Sequence, residues 1–287
     1  MTMNFIYFKK NILLIFISIV TLVGCQTKTK QNKVAENNFT QFVDPFIGSG
    51  GHGHVFVGAN VPFGGVQVGP SNFYKGWDWS SSYHYSDSIV KGFTHLNLSG
   101  TGCTDLGELI VMPTIGKRKT GSGNQVSGFL EEVKKAWYLS PGEDKPEDAY
   151  ASFYSKETEV VKPGYYSVKL EDYDIKVELT ATERVGMHRY TFPETDKARV
   201  IIDLSEGNSD ASVDTYIRQI NDSIFEGYRF SKGWAEDQRE YFTLILSKPI
   251  TNFAVYNGND KIDGNEFKGQ YAKGFLEFKT IKDEVIQ

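Results

Sequence analysis

The chain has 287 residues, enough for one large all-β domain or two ordinary ones, and its 40% hydrophobic and 23% charged residues exclude a disordered chain. The formal net charge is -5, from 31 Lys and Arg against 36 Asp and Glu, with no basic run interleaved with aromatics, so nothing favours nucleic acid and none is expected as a partner. Two cysteines, Cys25 and Cys103, cannot build a disulfide framework or a cysteine-rich zinc site.

In chain order, Lys9 and Lys10 form a positive region ahead of a nearly unbroken apolar run from Asn11 to Val23. That run falls short of the roughly 20 apolar residues that cross a bilayer and has the length of a signal-peptide core. It ends in Leu22-Val23-Gly24-Cys25, which resembles the lipobox of bacterial lipoproteins. The resemblance implies cleavage before Cys25, acylation of Cys25, and anchoring to the outer membrane on its periplasmic or cell-surface side. Several acyl chains on one residue give stable attachment. Residues 1–24 are thus expected as signal peptide. Residues 25–38, polar and unpatterned, are expected as a flexible tether.

The remainder, 39–287, is predicted to be one antiparallel β-sandwich domain, with pocket loops in 44–113. Aromatics reach 14% of the chain, which suits β structure and also the stacking of rings on pyranose faces. Residues 40–116 combine glycines with aromatics in weak periodicity, as in Gly48-Ser49-Gly50-Gly51 and Gly64-Gly65, a pattern of loops that let backbone approach something closely. Residues 117–149 read as a charged surface excursion with a short helical piece at Leu130–Tyr138.

From about residue 150 the apolar period becomes two. Tyr166, Val168 and Leu170 alternate with polar residues, as do Ile175, Val177 and Leu179. The series continues through Val200, Ile202 and Leu204, then Tyr228 and Phe230, then Phe242, Leu244 and Leu246, and then Phe253 and Val255. Turn residues at Pro163-Gly164, Glu206-Gly207-Asn208 and Asn257-Gly258-Asn259 separate the runs. Short strands at this spacing predict an antiparallel sandwich. The sequence ends at Gln287, directly after a strand-like run at Phe275–Lys279, which suggests a truncated reading frame.

Three stretches carry a more specific signal. They are FVDPFIGSGGHGHVFVGANVPFGGVQVGP, GWDWSSSYHYSD and GFTHLNLSGTGCTDLGELIVMP, all within residues 42–113, and KPGYYSVKLEDYDIKVELTATERVGMHRYTFP continues them over 162–193. Together they resemble the opening of glycoside hydrolase family 92, the calcium-dependent exo-α-mannosidases. The resemblance implies an N-terminal β-sandwich followed by a catalytic (α/α)6 barrel, with the active site between them. It implies inversion at the anomeric carbon by a Glu acid and an Asp-assisted water, with calcium holding mannose hydroxyls. Those carboxylates and most calcium contacts belong to the barrel, which is absent from this sequence. No residue here is matched to the acid or base, and no cofactor is expected for the chain alone.

What remains is a substrate-lining role in an α-1,2-type mannosidase acting on N-glycans or mannans. Trp77 and Trp79 flank Asp78, so that rings can stack on a sugar while a carboxylate accepts its hydroxyls; a Trp-rich turn packed on its own core is the rival reading. Gly50, Gly51, Gly64 and Gly65 can bring backbone N–H groups to sugar oxygens, or simply make turns. The run Ser99-Gly100-Thr101-Gly102-Cys103, with Thr101, Gly102 and Cys103 as candidate contacts, carries the same pair of readings.

His52 and His54 share one face of an extended strand, and with His84 and His95 they raise a metal reading. No third ligand stands at motif spacing, so structural or pocket histidines are expected. Asp78 is assigned to substrate binding, and Asp87, Asp105 and Glu108 to turns and surface. Two other readings stand beside the enzyme fragment: a self-sufficient carbohydrate-binding lipoprotein and a purely structural surface domain.

Overall fold

The computed structural model describes residues 39–123, 145–208 and 210–287. The expected signal peptide, the tether, Cys25 and the helical piece at Leu130–Tyr138 lie outside these residues. The chain divides into two compact units, Met1–Gln41 and Phe42–Gln287. Of the first, the described residues are 39–41, within a 3-10 turn spanning Phe39–Phe42.

The second unit is antiparallel β throughout its sheets. The largest sheet has eight strands, in the order β1 (Ala59–Asn60), β2 (Gln67–Ser71), β4 (Gly92–Thr94), β7 (Ile110–Thr114), β13 (Thr195–Asp203), β20 (Ala272–Thr280), β17 (Asn252–Asn257) and β18 (Asp260–Ile262). A five-stranded sheet runs β21 (Glu284–Ile286), β12 (Gly186–Phe192), β11 (Ile175–Ala181), β10 (Tyr165–Leu170) and β9 (Val160–Lys162). A four-stranded sheet runs β16 (Gln238–Ile245), β15 (Ile224–Lys232), β14 (Ala211–Gln219) and β19 (Glu266–Gly269). Two ribbons complete the set: β3 (Ile89–Val90) with β8 (Ser152–Phe153), and β5 (Leu96–Asn97) with β6 (Leu106–Glu108). Among the described residues the helical elements are the 3-10 turns Phe39–Phe42 and Trp77–Trp79, so an (α/α)6 barrel has no counterpart there.

Register shows how the layers stack. Residues directly opposite on paired strands point to one face of a sheet. Phe93 lies opposite Val111, Val111 opposite Ile202, Ile202 opposite Gly274, and Gly274 opposite Val255. This row crosses five strands on a single face. At one end Phe93 meets Tyr166 of the five-stranded sheet, with ring centroids 6.3 Å apart. Toward the other end, Gly274 admits Ile217 of the four-stranded sheet so closely that an added Cβ would stand 2.6 Å from Ile217 Cδ1. Phe253 and Phe225 close the same seam at 5.0 Å. The two smaller sheets therefore cover one face of the large one side by side, and a single apolar core joins all three. Each large apolar side chain in that core contributes about 1.5–3 kcal/mol by its burial.

The period-two reading holds in β10 and β11, where Tyr166, Val168, Leu170, Ile175, Val177 and Leu179 are buried. Two strands depart from it. In β13, six consecutive residues from Ala198 to Asp203 are buried, because the middle of the large sheet is covered on both faces. In β15 the buried face carries Phe225, Gly227, Arg229 and Ser231, and Tyr228 and Phe230 point outward. Alternation finds the strand but assigns its faces the wrong way round, since a buried ion-pair network occupies the inner side.

Candidate functional site

Three loops supply the residues singled out by sequence. The first, residues 44–58, precedes β1; the second, 72–88, links β2 to β3; the third, 98–105, links β5 to β6. The first loop is a series of tight turns in which Ser49 N donates to Phe46 O, Gly53 N to Gly50 O and Val55 N to Gly48 O. Gly53 packs flat on the Gly48 carbonyl, where a Cβ would stand 2.0 Å from the oxygen, so only glycine fits. Gly51 takes φ 56° with open space around it, and His54, at φ 53°, is held in the same left-handed region.

These turns bring His52 and His54 to Asp78 of the 3-10 turn Trp77–Trp79. His52 Nδ1 donates to Asp78 Oδ1 at 2.6 Å, and His54 Nε2 makes a longer contact of 3.4 Å with the same oxygen. Asp78 Oδ2 takes no bond among the described residues. The Trp77 indole packs beside both imidazoles, 4.9 Å from His52 and edge-on at 4.4 Å from His54, and remains 39% exposed.

The third loop closes on the same ring. A Cβ at Gly102 would stand 3.0 Å from Trp77 Nε1. Gly100 N donates to His54 O at 2.6 Å, Ser80 Oγ to Thr101 O at 2.9 Å, and Ser81 Oγ also donates to His54 O. Thr101 Oγ1 donates to Cys103 O at 3.0 Å, and the Cys103 thiol is free and exposed. Gly50, Gly51, Trp77, Asp78, Thr101, Gly102 and Cys103 thus belong to one cluster of loops, with His52 and His54 inside it.

Other expectations need correction. Trp79 is buried: its Nε1 donates to Asp87 Oδ2 at 3.0 Å, and His84 stacks on its ring at 4.5 Å. Lys75 pairs with the same carboxylate at 2.8 Å. Trp79 therefore anchors the turn from below and offers no open face. Gly64 packs on Val61 and on the Glu183 backbone, and Gly65 N donates to Glu183 O. Those two glycines serve the contact with the β11–β12 turn, not the histidine cluster.

Asp87, Asp105 and Glu108 were expected in turns or at the surface, and all three are buried. Asp105 accepts from Leu106 N, Trp234 N and Gln238 Nε2. Glu108 accepts from Ser231 Oγ and pairs with Arg229 at 2.9 Å. Burial pushes the Glu108 carboxyl up to about 9, although Arg229 pulls it down, and burial likewise lifts Glu240 to about 7. These carboxylates are consumed by internal bonds.

The four histidines first considered for metal divide three ways. His52 and His54 meet Asp78. His84 Nε2 donates to Gly51 O at 3.2 Å. His95 pairs with His188, Nε2 to Nε2, at 3.0 Å. His95 Nδ1 must donate to the Leu109 carbonyl, so its Nε2 accepts from His188, whose Nδ1 accepts from Tyr190 OH. Burial lowers His95 to about 4 and His188 well below its ordinary value, which keeps this chain neutral. Among the described residues no group of three or more His, Cys, Asp or Glu side chains is arranged to hold a metal. Calcium requires six to eight oxygen ligands, and the single carboxylate of the loop cluster, already bound by imidazoles, does not fit it.

Sequence reasoning missed Asn208. Fully buried in the segment after β13, it donates from Nδ2 to the carbonyls of Trp79 and Ser80, each at 3.1 Å, and fixes the exit of the Trp77–Trp79 turn. Nothing in its local sequence announces a partner 129 positions earlier.

The fold and its loops define an all-β sandwich domain carrying a histidine–aspartate–tryptophan cluster at one set of loop ends. Residues 42–287 match the glycosyl hydrolase family 92 N-terminal domain, and the chain belongs to that family. It is similar to a family GH92 alpha-mannosidase from Bacteroides thetaiotaomicron, with TM-score 0.77 and 32% identity over 86% of this chain and 32% of that one. The same enzyme in complex with mannoimidazole gives TM-score 0.75. A family GH92 inverting mannosidase from Bacteroides thetaiotaomicron shares the fold at TM-score 0.66 and 22% identity, covering 86% of this chain and 30% of that one. An uncharacterized secreted glycosidase from Arthroderma benhamiae is 27% identical over 56% of this chain and 18% of its own length. The chain thus spans about a third of the length of the solved relatives and less of the curated one.

Proposed function

We propose that this chain is the sugar-lining N-terminal part of an exo-acting, inverting α-mannosidase of the α-1,2 type, with no hydrolytic activity of its own. Trp77 offers an open ring face for the apolar side of a mannose, and Asp78 Oδ2 accepts one of its hydroxyls. His52 and His54 hold the carboxylate in place, and the glycine turns keep side chains out of the approach. The observation that carries the reading is the half-exposed Trp77 beside Asp78, built by three loops in a chain of this family.

The general acid, the base and most of the calcium ligands come from outside residues 1–287. The buried state of Asp87, Asp105 and Glu108 supports this, because a carboxylate committed to Trp79, Gln238 or Arg229 has no access to a glycosidic bond. Export is supported by the lipobox-like Leu22-Val23-Gly24-Cys25 and by the secreted relative, with acylated Cys25 as the outer-membrane anchor. A second reading, a stand-alone mannan-binding lipoprotein, is favoured by one feature: the loop cluster closes through bonds internal to this chain.

The test is incubation of the purified protein with α-1,2-mannobiose and calcium, alongside ligand-observed NMR with mannose. The proposal expects no mannose release and a saturation-transfer signal that is lost in Trp77→Ala. Hydrolysis by the chain alone, or a signal that survives Trp77→Ala, overturns it.

A further inference from the structure

The outward face of the four-stranded sheet carries a feature that the loop cluster does not use. Tyr216 of β14 lies directly opposite Tyr228 of β15, and Tyr228 directly opposite Tyr241 of β16. Three tyrosines therefore form one row across three strands, with centroid spacings of 5.6 and 5.9 Å. An open groove of about 340 Å³ lies over the row, lined also by Glu226, Gly227 and Thr243. Tyr228 is held within the row: Phe230 stacks on its ring at 4.4 Å, Lys268 Nζ stands over the ring 5.9 Å from its centroid, and the Arg239 guanidinium lies 5.3 Å from the Phe230 ring. Tyr241 is the most open of the three, 66% exposed.

The charges around the row are closed into pairs. Arg218 Nε donates to Glu226 at 2.7 Å, Arg239 Nε to Asp237 at 2.8 Å, and Lys268 pairs with Asp214 at 3.5 Å. Tyr216 OH donates to Glu266 at 2.7 Å and Tyr228 OH to Asp214 at 3.0 Å. A charged partner gains nothing from a surface whose charges already cancel and would have to break these pairs to engage them. A neutral ligand with apolar faces and many hydroxyls does not. It can lie on the rings and share the oxygens of Glu226, Thr243 and Tyr241 without separating a pair. Strand-borne rings are also fixed in place, so little ordering entropy opposes binding.

We infer that the Tyr216–Tyr228–Tyr241 row is a second carbohydrate site, for a neutral polysaccharide chain spanning several sugar rings and separate from the loop cluster. It does not depend on the mannosidase reading. It holds polymer against the domain, and it favours chains over single sugars because the row crosses three strands, from Tyr216 to the exposed Tyr241.

Affinity electrophoresis of the full protein through native gels containing soluble α-mannan or dextran tests this, with light scattering on the same samples. Retardation of the parent protein is expected, retained in Trp77→Ala and in Tyr241→Phe. Tyr241→Ala and Tyr228→Ala are expected to weaken the apparent affinity about tenfold, as the loss of a stacked ring predicts. Absence of retardation in the parent, or equal retardation in both alanine variants, overturns the inference. So does a dimeric parent that becomes monomeric in Tyr241→Ala, because a second copy then covers the face. Retardation lost in Trp77→Ala but kept in the tyrosine variants overturns the inference while leaving the loop site standing.

Discussion

His52 Nδ1 and Asp78 Oδ1, 26 positions apart in sequence, are joined by a 2.6 Å hydrogen bond that ties the glycine-rich first loop to the Trp77–Trp79 turn. The bond fixes the histidine tautomer, since a carboxylate only accepts, and it orients the carboxylate beside an open indole.

Trp77 and Trp79 should respond differently to truncation. Trp77→Ala is expected to leave the melting temperature close to that of the parent protein and to lower mannose affinity about tenfold. Trp79→Ala removes a buried ring and one donor to Asp87, which keeps Lys75, so a loss of about 3–5 kcal/mol is expected in denaturant unfolding, most of it from the cavity. Equal stability losses in the two variants would contradict the division of roles.

The first loop offers a probe that does not touch the core. Gly53→Ala places a methyl against the Gly48 carbonyl and must move the backbone that carries His52 and His54. Loss of sugar binding with little change in global unfolding is the expected outcome, read by titration and by urea denaturation in parallel.

Arg229 is fully buried between Glu108 and Asp210. Removing it as Arg229→Met leaves buried acids without their cation and is expected to cost about 3–5 kcal/mol. Glu108→Gln should be far milder at neutral pH, because Glu108 already carries its proton there. The comparison of the two melting curves checks the assignment.

The pH profile of stability follows from the same groups. Glu108 and Glu240 keep a proton in the folded state, up to about 9 and about 7, when the unfolded chain has released it above about 4.5. Stability attributable to them is therefore present at low pH and declines as pH rises through that window, by about 1.4 kcal/mol per pH unit for each proton. His95 and His188 act in the opposite sense. They stay neutral when the unfolded chain takes up protons below about 6.5, so their contribution is lost as pH falls toward about 4. The two trends oppose each other between about 4.5 and 6.5, and the decline toward pH 9 should dominate above. Thermal melts from pH 4 to 9 check this, and Glu108→Gln should flatten the alkaline limb.

Much of the sandwich was legible because β10 and β11 have one face in the core and one in solvent, and Tyr166 to Leu179 alternate accordingly. β15 was misread for a physical reason. Its inner face is held by Arg229 and Ser231 through Glu108 and Asp210, groups that are distant in sequence and that no local pattern reveals. The loop site was legible as a motif but not residue by residue. Trp77 and Trp79 are identical in type and two positions apart, and only Lys75, His84 and Asp87 decide which is buried. Asn208, which clamps the turn from the segment after β13, and His188, which occupies His95 from β12, are distant in sequence from their partners and left no local trace.

Calorimetric titration of the protein with methyl α-mannoside, beside the Trp77→Ala variant, tests the central claim most directly, since a single sugar is too short to span the tyrosine row. Saturable binding in roughly the millimolar range, lost in Trp77→Ala and unchanged by Tyr241→Ala, is the predicted result. Binding that persists in Trp77→Ala, or the absence of binding in the parent protein, would contradict a sugar-lining role for these loops.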